Sequence, residues 1–349
     1  MTQTNRPALL LGSLNLANRE EVFDEVSSRL KDDLRSVPDG ETGARATWVT
    51  WGARRLEEMP QLQKVDKMVF NSPVSGEFEH WLLAPRDGVD LRELDFGSFG
   101  YVDEARDSYE AFRADRDAGR FLPDTRFQVS MPTPMMFAMA FPHHRREALA
   151  GLERAMIAEV DGLLGAIPAE DLAIQWDVAG ETQIQEQFLT GDSVWAAEDR
   201  WPLEEVTESI ARVSAGIPEA ALLGIHFCYG DAEGEHLLQP RDLSMCVALA
   251  NSAGEVIGRR LDWVHMPVPV ERDDDAYFAP LADLHLPPRT RLYLGLLHKE
   301  DGIEGAARRM ERASAYIDDF GVATECGMGR EPRDRIADLL DLHHQAAAL

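Results

Sequence analysis

Along most of the chain, short continuous apolar runs alternate with amphipathic stretches of helical period. The runs are "ALLLGS" (8–13), "LRSVP" (34–38), "RFQVSM" (126–131), "LAIQWD" (172–177), "ALLGIHF" (221–227), "LDWVH" (261–265), "RLYLGLL" (291–297) and "GVATE" (321–325). A strand that is apolar without alternation is covered on both faces, as the strands of a parallel sheet are. Segments such as "REEVFDEVSSRLKDD" (19–33), "HHRREALAGLERAMIAEVDGLLGAI" (143–167) and "DGIEGAARRMERASAYIDDF" (301–320) read as helices between them. Eight strand-plus-helix units predict an α/β fold closed as a (β/α)8 TIM barrel. A doubly wound open sheet is the alternative, but no strand is followed by a Gly-x-Gly-x-x-Gly turn.

The interval from about residue 50 to 125 is too long for one crossover. It holds a Trp-rich helix, "TWVTWGARRLEEM" (47–59), a hairpin around "KMVFNSPVSGEFEHWLLAP" (67–85), and a charged helix, "DEARDSYEAFRADRDAGR" (103–120). This predicts an insertion between the second and third strands, packed over one end of the barrel. No internal repeat or low-complexity linker divides the chain, so residues 1–349 are expected to form one domain.

Charge narrows the function. The net charge of -27, from 62 acidic and 35 basic residues, repels phosphate backbones and anionic lipid. Neither a nucleic-acid nor a membrane partner is expected. Cys228, Cys246 and Cys326 make no disulfide framework and suit a reducing compartment. "MTQTNRPALLLGSL" lacks the features of a secretion signal, and no apolar run has the length of a membrane span, so a cytoplasmic protein is expected.

Barrel enzymes carry their chemistry on the carboxyl ends of the strands. Ser13 ends the first predicted strand, and Asp39 and Glu41 in "PDGETG" follow the second. Asp177 ends the fourth, His226 and Cys228 the fifth, and His265 the sixth, while His298 follows the seventh and Cys326 the eighth. His226 and Cys228 are two residues apart, so on a strand they share a face. Imidazole and thiolate are preferred zinc ligands, and a catalytic site uses three of them and keeps one position open. The bland reading is that free cysteines are usually small buried hydrophobes, as Cys246 in "LSMCVALA" must be. His265 is open to three roles: a further metal ligand, a hydrogen-bond partner behind the ligands, or a buried core histidine. Glu41 and Asp177 are a pair of carboxylates suited to a cationic group, with a salt bridge to Arg45 as the structural alternative for Glu41. His80, His236 and His285 have no evident partner.

Assembled in order, these pieces resemble the catalytic barrel of cobalamin-independent methionine synthase, in the uroporphyrinogen decarboxylase/methionine synthase-like superfamily. "LLLGSL" is similar to the family's Ile-Gly-Ser segment and "PDGETGAR" to its His/Asp-Gly-Glu…Arg segment. "IQWDVAGE" is similar to Ile-Gln-x-Asp-Glu-Pro, "GIHFCYGD" to His-x-Cys-Tyr, and "TECGMGR" to Pro-Asp-Cys-Gly-Leu. The resemblance implies a zinc-dependent methyl- or alkyltransferase in which His226, Cys228 and Cys326 bind Zn2+ and a small thiol is activated as thiolate. Ser13 would hold the carboxylate of homocysteine, Glu41 and Asp177 its amino group, and His298 would act as general acid. The family's remaining ligand is a glutamate, where this chain has His265, counted here with the metal ligands. The alkyl donor is a methylated small molecule, a methylcorrinoid protein or an epoxide. The rivals are a lyase or decarboxylase of the same superfamily, which would need a basic cluster, and a ligand-binding barrel that has lost catalysis.

Overall fold

A computed structural model describes residues 6–72, 76–190, 200–230 and 238–349. In chain order the strands are β1 (Ser36–Pro38), β2 (Leu62–Ser72), β3 (Gly76–Pro85), β4 (Arg126–Pro132), β5 (Leu172–Val178), β6 (Leu222–Phe227), β7 (Trp263–Pro267), β8 (Arg291–Leu297) and β9 (Gly321–Thr324). Seven of them form one curled parallel sheet in the order β1-β4-β5-β6-β7-β8-β9. The sequence-predicted strands two to eight thus all lie in this sheet, and their order in space follows their order in the chain. Helices follow the strands, among them α1 (Arg19–Leu30), α2 (Val49–Glu57), α3 (Tyr101–Asp117), α4 (Pro134–Ala138), α5 (Arg145–Ala166) and α6 (Gly180–Thr190).

The first predicted strand behaves differently. Residues 8–14 join no ladder but make isolated parallel bridges to both edges of the sheet: Ala8 to Leu34 and Val322, Ser13 to Gly40, and Leu14 to Met328. Gly12, at φ +130°, interrupts the extended run. Side chains still alternate there, with Leu9 and Leu11 joining an inner cluster of Ala173, Leu222, Trp263, Tyr293 and Ala323. Ala8, Leu10 and Leu14 join the larger core packed against the helices. Asn18 caps the helix that follows: its side chain accepts from the Glu21 N–H at 2.9 Å, and Glu21 accepts in return from the Ala17 N–H at 2.7 Å. Such a reciprocal cap contributes about 1 kcal/mol and sets where α1 starts.

Between β1 and β4, which are neighbours in the sheet, the chain makes α2, the antiparallel hairpin β2–β3 and α3. The hairpin is tied back by the Leu83 N–H donating to the Ala140 carbonyl, just past α4.

Inside the sheet, polar side chains form a connected row. Ser36 donates to Gln128 at 2.6 Å, and Gln128 donates to the Leu10 carbonyl at 2.9 Å. Gln175 donates to the Leu11 carbonyl at 3.0 Å and to Asp177 at 2.8 Å. Buried carboxamides must be satisfied, and these two take their partners from the 8–14 segment. The polar row therefore fixes that segment and reaches Asp177 at the carboxyl end of β5. No helix among the described residues is long and apolar enough to cross a membrane.

Candidate active site

At the carboxyl ends of the strands a cavity is lined by Leu11, Ser13, Glu41, Trp48, Asp177, His226, Cys228, Gly230, Cys326, Gly327 and Arg330. Six of the eight residues expected in the site line it together. His226 ends β6, and Cys228 follows it with its N–H bonded to the Val178 carbonyl of β5 at 3.0 Å. Cys326 comes from beyond β9. Its sulfur lies 3.6 Å from that of Cys228 and 3.9 Å from Nε2 of His226. The three donor atoms all fall within 4.8 Å of one another.

Two sulfurs on one tetrahedral zinc, at bond lengths of about 2.3 Å, stand roughly 3.8 Å apart. The observed separation fits zinc with a slight opening of the cluster. Without a cation, the hydrogen bond with Cys228 and then burial push the Cys326 thiol well above its ordinary value. A bound cation reverses that preference, because a coordinating thiol loses its proton. The donor set and its spacing thus fit the group that the sequence implied.

His265 is not part of this cluster. It sits behind His226, with the two Nδ1 atoms 2.8 Å apart, and its own Nε2 is 3.1 Å from the Thr324 carbonyl. Burial, then His226, pull its pKa well below the usual histidine value.

His298 does not line the cavity either. Its Nε2 donates to the Val268 carbonyl at 2.8 Å, and its Nδ1 faces Glu325 at 3.8 Å. Burial lowers its pKa, against the pull of Glu325.

The wall beside the three donors carries the carboxylates, Asp177 being the register partner of His226 on the neighbouring strand. Asp177 accepts from Gln175 and, at 3.2 Å, from Nε1 of Trp48. Burial nevertheless raises its pKa to about 6. Glu41 is raised well above the carboxylate range by burial and then by the Asp177 charge. Arg45 bonds Asp39 with both terminal nitrogens, at 3.1 and 2.8 Å, so the salt bridge considered for Glu41 is made by its neighbour. Two carboxylates facing one cavity with raised pKa values are an arrangement that a bound cation relieves.

Backbone strain marks the same wall. Glu41 and Trp48 both have φ of 49°, rare for residues with a Cβ, and both line the cavity. Ser13 is held by the Gly329 N–H at 3.2 Å, and a Cβ on Gly327 or Gly329 would run into it. "CGMG" is therefore glycine-rich because Ser13 lies against its backbone.

Sequence reasoning missed Trp48 and Arg330 as cavity residues. Arg330 was within reach, since it closes the quoted "TECGMGR" motif; Trp48 was visible only as one of several tryptophans in a helix. His80 is a buried residue of the hairpin strand β3, His285 caps a local turn through the Asp283 carbonyl, and His236 lies outside the described residues.

No protein-family model and no curated protein sequence matches the chain. Solved structures do. A B12-independent methionine synthase from Shewanella sp. W3-18-1, in complex with selenomethionine, superposes with a TM-score of 0.56 at 13% identity, covering 99% of this chain and 97% of that one. A putative vitamin-B12 independent methionine synthase from Listeria monocytogenes gives a TM-score of 0.56 at 14% identity, covering 98% of each chain. The likeness is one of fold, over essentially the whole length. It bears out, at that level, the methionine synthase-like barrel suspected from the motifs.

Proposed function

We propose that this protein is a zinc-dependent alkyltransferase that alkylates a small aminothiol, with homocysteine as the leading acceptor. The observation that carries the reading is one cavity lined both by His226, Cys228 and Cys326 and by Ser13, Glu41 and Asp177. We further read residues 1–349 as a single (β/α)8 domain of the cytoplasm, with 8–14 as the eighth stave and the α2–β2–β3–α3 segment inserted over the mouth.

His226, Cys228 and Cys326 would hold the metal. Zinc, when bound, lowers the pKa of a coordinated thiol and keeps it nucleophilic at neutral pH. The chain's own residues do the rest. Glu41 and Asp177 take the acceptor's ammonium group, whose charge favours the ionised form of both carboxylates. Ser13 and Arg330 take its carboxylate. Gripped at both ends, the acceptor has its sulfur directed at the cysteine wall, and the entropy of orienting it is met by binding. Its sulfur then attacks the alkyl carbon of the donor; the C–S bond forms and the leaving atom keeps the electron pair. His298 is assigned the proton that atom takes up.

Protein purified without chelator is expected to carry zinc near one equivalent, and Cys228→Ser to lose it. Protein that is zinc-free as isolated and cannot be reloaded sinks the proposal. In the zinc-loaded protein, homocysteine is expected to raise the thermal midpoint, and to do so less in Glu41→Gln.

A further inference from the structure

His226 on β6 and His265 on β7, partners in the parallel register, form a directed chain. The Thr324 carbonyl can only accept, so the Nε2 of His265 facing it at 3.1 Å carries the hydrogen. A neutral imidazole carries one hydrogen, and with that hydrogen directed at the carbonyl from Nε2, Nδ1 is a lone pair. That lone pair meets Nδ1 of His226 at 2.8 Å, and His226 must therefore donate from Nδ1. The remaining nitrogen of His226, Nε2, is then the unprotonated one, and it is the nitrogen turned toward Cys326.

A second observation concerns β8. His265 is on β7 and Thr324 on β9, so the hydrogen bond between them passes over β8. The residue beneath it is Gly295. A Cβ there would lie 3.1 Å from Nε2 of His265 and 2.9 Å from the Thr324 oxygen. The crossing exists because β8 has no side chain at that point.

We propose that His265 is a positioning residue and not a metal ligand: it locks His226 in the Nδ1–H tautomer, leaving the metal three protein ligands and one position for the thiol. This rests on the zinc reading above for its consequence, though not for the hydrogen-bond chain itself. Metal-bound histidines commonly donate their second nitrogen to such a partner, and losing the partner typically weakens metal binding about 10–100-fold.

Long-range proton–nitrogen NMR on histidine-labelled, metal-free protein reads the tautomer directly. His226 is expected as Nδ1–H. It should become a tautomer mixture in His265→Leu and in Gly295→Ala, and return toward Nδ1–H in His265→Gln, whose carboxamide oxygen can accept. On zinc-loaded protein, X-ray absorption is expected to count two sulfurs and one imidazole. Chelator competition should show the affinity drop in His265→Leu and partial rescue in His265→Gln. An Nε2–H tautomer for His226, or two imidazoles on the metal, overturns the proposal. Failure to bind zinc at all would sink the metal reading, while the NMR result would still decide the tautomer chain.

Discussion

Asp177→Asn should make the metal-free protein more stable at neutral pH and a poorer binder of its acceptor. Asp177 is 5% exposed, and burial raises its pKa from 3.8 to about 6 in the folded chain. A carboxyl whose folded pKa lies above its unfolded one favours folding in its protonated form, and that contribution is lost as pH rises through the folded value. At about 1.4 kcal/mol per pH unit, the loss is roughly 1 kcal/mol at pH 4.5 and roughly 3 kcal/mol at pH 8. Asparagine keeps the shape and one acceptor oxygen, giving up the bond from either Gln175 or Trp48 at every pH, but has no proton to lose, so the variant is spared this pH-dependent loss. Its advantage over the parent should widen by about 2 kcal/mol between those pH values. With an unfolding entropy of about 2.1 cal/mol/K per residue, that is roughly 3 °C in Tm for a chain of this length. The charge of Asp177 also raises Glu41, so the substitution eases both groups. Differential scanning calorimetry of both proteins across the pH range is the assay. A pH-independent gap, or one that narrows as pH rises, would refute the burial argument. Acceptor affinity should fall about 10- to 150-fold, the worth of one hydrogen bond between charged partners.

Two glycines offer further tests. Gly224 on β6 lies under the Trp263 indole, and a Cβ there would overlap the ring; Gly224→Ala should therefore cost about 1–3 kcal/mol or more in urea unfolding. A Cβ on Gly12 would fall 2.9 Å from a carboxylate oxygen of Glu41, at a φ that side chains avoid. Gly12→Ala is expected to lower Tm and to reduce homocysteine binding while zinc content stays unchanged, and loss of zinc would count against that division of the cavity.

How much of this was legible beforehand depends on how local the cause was. β8 spans 291–297, as its apolar run implied, because a run covered on both faces needs only its own residues to declare it. The candidate metal trio was legible through the i, i+2 spacing of His226 and Cys228 and the strand-end position of Cys326. His265 was not, since a histidine ending "LDWVH" looks the same whether it meets a metal or another imidazole. What separates these roles is the Thr324 carbonyl two strands away. Arg45 stands four residues after Glu41, which suggests a pair on a helix. Gly40 and Glu41 instead take positive φ and turn the backbone, so Asp39 receives the guanidinium. Trp48 reaches Asp177 across 129 residues of sequence, and no local pattern announces such a bond.

The bridges from residues 8–14 to both edges of the sheet carry a consequence for biosynthesis. Next to that segment, Arg6 bonds the Phe320 carbonyl, 314 positions further on. At translation rates of about 5–20 residues per second, this segment waits roughly 15–60 s for that neighbour to be made. Until then Val322 and Met328 are unavailable to it, and Cys326, the third candidate ligand, does not yet exist on the nascent chain. A ribosome-bound intermediate holding only His226 and Cys228 is a poor chelator. Capture of a metal by the candidate trio would thereby wait until residue 326 has been made, when β9 arrives and the 8–14 segment can dock.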